Sequence, residues 1–199
     1  MNRRDALQLL AGSSLAVGMS WCGTDVAKVQ QKAQDARQKA AESGQPYAPQ
    51  FFSPQEWRTV RVLVDMIIPA DDRSGSATDA GVPEFMDFIM IEYPEKQIWM
   101  RGGLAWLDAE TRHRHQVLFA DAAEAQRKGL LDDIAWPKRA RASLSHGVAF
   151  FNSFRDLTAS GFFSSKTGVE DLRYMGNTFV ADWKGCPPEV LAKVGVTYD

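Results

Sequence analysis

Cysteine is scarce: Cys22 and Cys186 are the only two in 199 residues. No CxxC pair exists. That excludes a zinc ribbon, a thioredoxin-type redox motif, a CxxCH haem attachment and a four-cysteine iron–sulfur site. Long apolar runs are missing as well; no stretch reaches the ~18 apolar residues of an ordinary membrane-crossing helix. A basic excess is absent too, with 23 Lys and Arg against 25 Asp and Glu. The balance argues against a dedicated nucleic-acid binder.

Catalytic motifs are equally sparse. There is no GxGxxG after a strand, no GxxxxGK[ST], no HExxH and no GxSxG. His113 and His115 lie about 200° apart on a helix and cannot share a metal there. They read as exposed positions among Arg112 and Arg114. His146 stands near a Ser-rich helix start with no acid or nucleophile close in sequence, and reads as a helix-surface residue. The acids Asp71, Asp72 and Asp79 lack the ligand spacing and the terminal bidentate Glu of an EF-hand, so they read as a solvated loop. Lys138, Arg139 and Arg141 read as a solvated helix start, with a grip on an anionic group or acidic partner as the alternative.

What is abundant is aromatic surface: 11 Phe, 6 Trp and 4 Tyr, too many for a disordered chain. A chain of this length buries roughly 70% of its unfolded surface, enough for a core without staples. The first 22 residues read separately. Arg3-Arg4 precede a weak apolar stretch broken by Gly12, Ser13, Ser14, Gly18 and Ser20. This resembles a twin-arginine export signal, the route for already folded proteins; the bland alternative is a frayed amphipathic helix. No clean A-x-A site follows, and bulky Trp21 before Cys22 fits lipid attachment poorly. Residues 23–50 form a polar stretch with a thin stripe of Val26, Val29, Ala33, Ala36 and Ala40. It is either a surface helix or a tether, closed by Gly44 and Pro46.

From Phe51 the helical signals are stronger. Ser53, Pro54 and Glu56 predict a capped helix start, and Phe52 with Trp57 predicts a hydrophobic staple. Trp57, Val60, Leu63, Val64 and Ile67 share a face that Pro69 terminates. Pro83 opens a helix bearing Phe85, Met86, Phe88 and Ile89. Pro94 opens another, reaching His113, in which Gly102-Gly103 marks either weakness or close helix packing. Asp121 to Glu124 reads as a capping box ahead of Leu130, Leu131 and Ile134. Trp136-Pro137 breaks the chain. Ser143–Thr158 carries Leu144, Val148, Phe151 and Phe154, with Gly161 expected as C-cap. Periodicity then disappears from Phe162 to Asp199. The expected fold is all-α: a small bundle of about five or six helices with an extended, irregular C-terminal segment.

Several aromatics come as neighbours: Phe51-Phe52, Phe150-Phe151 and Phe162-Phe163. Adjacent helical residues point about 100° apart, so one small core cannot easily take both. Either the core is wide, or some face a partner. A tail with Tyr174, Phe179 and Trp183 suits wrapping around another protein. The candidate contact residues are thus Phe162, Phe163, Tyr174, Phe179 and Trp183.

Four runs together resemble a known family: FFSPQEW at 51–57, VDMIIPADDRSGSATDAGVPEFMDFIM at 64–90, LTASGFFSSKTG at 157–168 and YMGNTFVADWKGCP at 174–187. Their order and spacing are similar to those of gluconate 2-dehydrogenase subunit 3, the small or gamma subunit, with residues 51–199 covered. The resemblance implies an accessory, non-catalytic chain. Its partner would be a large flavoprotein of the glucose–methanol–choline class, holding FAD and oxidising a sugar, sugar acid or glycoside. A cytochrome c subunit, with haem c, often carries the electrons onward. The large subunit commonly lacks an export signal and crosses with the small one through the twin-arginine translocase. The expected location is the periplasm, with membrane association through the complex or an uncleaved signal. No catalytic, cofactor-binding or metal residue carries over to this chain. Cys186, in the Gly-Cys-Pro turn, is open to pairing with Cys22, to pairing with a partner cysteine, or to remaining a thiol. The rivals are a stand-alone exported enzyme, using His146 or the Asp71–Asp79 loop, and a scaffold for another exported redox protein.

Overall fold

A computed structural model of the protein describes residues 23–173, 181–182 and 184–197. Arg3, Arg4, Cys22, Tyr174, Phe179 and Trp183 lie outside the described residues. Among the described residues the fold is all-α and contains no strand. Six longer helices form the body: α1 (Gly23–Ser43), α2 (Pro54–Ile67), α3 (Val82–Glu92), α4 (Gln97–His115), α5 (Glu124–Ala135) and α6 (Ser145–Phe163). Two short ones follow, α7 (Lys166–Asp171) and α8 (Pro188–Val194). With 6 and 7 residues they are too short to show a period, which is why the sequence reads as irregular there.

Two helices organise the body. In α3, Val82, Phe85, Met86, Ile89 and Met90 are all buried, and the helix packs on α1, α2 and α6. These five recur at i, i+3, i+4, i+7 and i+8, one apolar stripe that buried Pro83 and Asp87 widen, as suits a helix with three packed neighbours. The second organiser, α6, runs against α3, α4 and α5. Its Phe150, Phe151, Phe154 and Leu157 enter the core, each burial contributing roughly 1.5–3 kcal/mol.

Helix α2 starts as its residues dictate. Ser53 Oγ accepts from Glu56 N at 3.3 Å, and Glu56 Oε2 accepts from Ser53 N at 2.8 Å. Phe52 meets Trp57 with ring centroids 6.1 Å apart, the staple. The stretch from 23 is a helix, and a packed one. Val29 and Ala33 are buried against the body, Lys32 pairs with Glu92 at 2.9 Å, and Arg37 donates to the Asp79 carbonyl.

Two boundaries differ from the sequence expectation. Gly161 is not a C-cap: α6 continues to Phe163, and Gly161 is buried within it. An added Cβ would lie 2.6 Å from Phe85 Cδ1, so the glycine serves helix contact rather than termination. The actual stop is followed by Ser165, whose hydroxyl accepts from Gly168 N and caps α7. Asp121 does not cap α5 either. It pairs with Arg58 at 2.7 Å, while α5 begins at Glu124 and Gln126 Oε1 accepts from Ala123 N. The Gly102-Gly103 ambiguity resolves as packing: the Phe150 ring occupies the space a Gly103 side chain would need.

Candidate partner-docking surface

The non-helical segment between α1 and α2 is tied to the middle of α3 by one carboxylate. Asp87 is fully buried. It accepts from Tyr47 Oη at 2.8 Å, Gln50 N at 2.8 Å, Phe51 N at 2.9 Å and Phe52 N at 3.1 Å. A buried charge is tolerable when its lone pairs are filled this way. Burial, then the bond to Asp87, pushes the Tyr47 phenol far above its ordinary range. Arg101 completes the clasp. Its guanidinium lies 4.4 Å from the Phe51 ring centroid, donates to the Phe51 carbonyl at 2.9 Å and pairs with Glu56 at 2.8 Å. Every group in this cluster is occupied by another, so its chemistry is structural. It fixes Phe51 and Phe52, both buried, in edge contact at 4.8 Å.

The third aromatic pair divides. Phe162, one of the contact candidates, is buried in the core. Its neighbour Phe163 points out, 41% exposed, with the rings 5.2 Å apart and nearly perpendicular. Beyond it Val169 and Leu172 on and after α7 are exposed. So are Val190, Val194 and Val196 on and after α8, a helix that buries none of its residues. Cys186 is half-buried before α8; Cys22 lies outside the described residues.

The places a rival catalytic site would need are dispersed or spent. His113 and His146 are exposed, and among the described residues no group of three or more His, Cys, Asp or Glu could hold a metal ion. Asp71 accepts the amides of Arg73 and Ser74, which hold its carboxyl below the usual carboxylate range. Asp79 and Ser76 exchange two bonds that close the same loop. Arg73 then anchors the loop to Asp171 at 3.0 Å.

Residues 54–182 match gluconate 2-dehydrogenase subunit 3. The chain belongs to that family. No curated protein matches the chain, and no solved structure does.

The name makes this subunit one component of a multi-subunit dehydrogenase complex. It also sorts the signature runs by what they do in the fold. The first two build the clasp and the central helix. The third builds the Phe162–Gly168 junction, where a Gly168 side chain would strike the Phe162 carbonyl. The matched span begins at residue 54, so α1 and the Tyr47–Phe52 strap precede it, although Asp87, which holds the strap, lies inside.

The chain also presents a surface groove of about 690 Å³ between α2, α5 and α6. Val62, Met66, Ile67, Leu131, Ala135 and Phe151 line it. Arg127, Lys128 and Arg155 line it as well, along with Asp65, Glu124 and Asp132. Sequence reasoning missed both the groove and the clasp. The available signal for the clasp was Asp87 itself, a lone acid in an otherwise apolar stretch of helix.

Proposed function

We propose that this chain is the non-catalytic small subunit of a periplasmic, FAD-dependent dehydrogenase acting on a sugar, sugar acid or glycoside. The carrying observation is the family match over residues 54–182. The large subunit, a glucose–methanol–choline flavoprotein, would hold FAD and the substrate, and a cytochrome c subunit would take the electrons. This chain would fold with the flavoprotein, stabilise it and lend it the twin-arginine segment around Arg3 and Arg4. The exposed apolar residues Phe163 and Leu172, together with those of α8, support a partner-facing role, because large apolar groups left in water mark contact surfaces. Residues Tyr174, Phe179 and Trp183 would extend that contact.

Deletion of the gene tests the reading. The flavoprotein should then lose activity and fail to reach the periplasm; full, correctly located activity without this chain overturns it. Arg3→Lys with Arg4→Lys should strand both subunits in the cytoplasm. Unaltered secretion of the flavoprotein would remove the shared-signal part alone.

A further inference from the structure

We infer that the corner formed by the end of α4, the last turn of α5 and the turn into α6 docks an acidic face of the flavoprotein partner, with Trp136 as its anchor. The inference rests on the proposed role in a flavoprotein complex and adds where, and by what chemistry, that partner is held.

Trp136 is 62% exposed, whereas Phe85, Phe119, Phe150, Phe154 and Phe162 are buried. Leaving an indole in water forfeits burial worth a few kcal/mol, and Trp and Arg are the side chains that most often carry interface energy. The ring is not on a loose strand. The Trp136 carbonyl accepts from both Arg139 N at 2.8 Å and Ala140 N at 3.0 Å, and Pro137 restricts the turn further. A presentation fixed before contact loses less entropy on binding. The Arg139 guanidinium lies 6.0 Å from the ring centroid, so the platform is cationic as well as aromatic.

Charge selects the occupant. Residues 112–141 hold seven Lys and Arg against four Asp and Glu, whereas the whole chain is at −2. Two of those four acids are already engaged nearby. Asp133 holds Arg114 at 2.6 Å and Arg141 at 3.4 Å, Glu110 also holds Arg114 at 2.7 Å, and Asp121 holds Arg58, so these bases are spent with their acids. Lys138 and Arg139 have no acid partner among the described residues. A hollow of about 430 Å³ opens between Asp132, Asp133, Trp136, Arg139 and Arg141. Asp132 belongs both to this hollow and to the apolar groove between α2, α5 and α6. The last turns of α5 thus separate a basic, aromatic anchor from an apolar trough. A protein surface with carboxylates beside aliphatic side chains matches both. A lipid bilayer or a nucleic acid presents uniform negative charge, which Asp132 and the groove's own acids would oppose.

The test uses the complex obtained by co-expressing this chain with its flavoprotein, and compares Trp136→Ala, the pair Lys138→Glu with Arg139→Glu, and the exposed α1 control Lys39→Glu. Wild-type affinity should weaken with added salt. Trp136→Ala and the charge-reversed pair should each raise the dissociation constant by about tenfold or more, with the salt dependence flattened in the pair. The control should bind as wild type. Circular dichroism and melting temperature must stay at wild-type values, because all three changes are on the surface. Wild-type affinity in both corner variants overturns the inference while leaving the proposed function standing. A wild-type chain that retains no flavoprotein removes the proposed function instead. Loss of binding to anionic phospholipid vesicles in these variants, with the flavoprotein complex intact, overturns the inference in favour of a membrane contact.

Discussion

Asp87 holds four donors where water cannot reach, and two of them are amides of the aromatic pair that opens α2. Asp87→Ala would leave those amides and the Tyr47 hydroxyl buried without acceptors. Hydrogen bonds to a charged group are worth about 1.5–3 kcal/mol each, so a loss of at least ~3 kcal/mol is expected, read from urea unfolding. A variant as stable as wild type would show that the strap is held by packing alone. Glu84, one turn earlier, is the opposite case. Its Oε2 is buried with no hydrogen bond, and burial pushes its carboxyl up, against the pull of Arg37 and Arg61. The folded state therefore favours the neutral acid. Its contribution to stability is full below the unfolded pKa of glutamate and is lost as pH rises through the folded one. Glu84→Gln should melt higher than wild type at about pH 7, with the advantage gone near about pH 4. An advantage equal at both pH values would mean that charge is not the cause. Neither residue's role was legible in the sequence. Asp87 reads there as one acid among apolar neighbours, and its donors lie 35 to 40 residues away, beyond any helical period.

At the scale of elements, adjacent glycines predict opposite outcomes. Gly103 is buried, and a Cβ there would fall 1.8 Å from the Phe150 ring. Gly103→Ala should cost about 1–3 kcal/mol through overpacking between α4 and α6. Gly102 meets nothing within 4 Å, so Gly102→Ala should stabilise by about 0.5–1 kcal/mol through helix propensity. Thermal melts of the two single variants check the signs; equal shifts would contradict the contact. Gly102-Gly103 signals helix approach in the sequence, but which glycine faces the partner helix depends on rotation that only Phe150 reveals. The same limit explains Gly161. A glycine near a helix end looks like a stop, and nothing local announces Phe85. The start of α2 was fully legible, because Ser53, Glu56, Phe52 and Trp57 all act within five residues of one another. Helix α1 was legible only as one of two possibilities. Its buried stripe is short, and the Lys32–Glu92 ion pair and the Arg37 hydrogen bond to the Asp79 carbonyl complete its attachment.

For the whole molecule, the body and its C-terminal end should separate in their responses. Ending the chain after Arg173 removes α8, which buries nothing, along with Tyr174, Phe179 and Trp183. The melting temperature should stay close to that of the intact chain while retention of the flavoprotein falls. Unchanged retention would place the contact elsewhere on the surface. The all-α architecture was legible because strand alternation is nearly absent throughout the chain, whereas the groove between α2, α5 and α6 is assembled from elements distant in sequence. The strap between α1 and α2 has one more consequence, visible to deuterium. The amides of Gln50, Phe51 and Phe52 belong to no helix, yet all three end on a carboxylate sealed inside α3. Their exchange should require the opening of α1, α2 and α3 together, so these loop amides would keep their protons as long as the slowest helical ones.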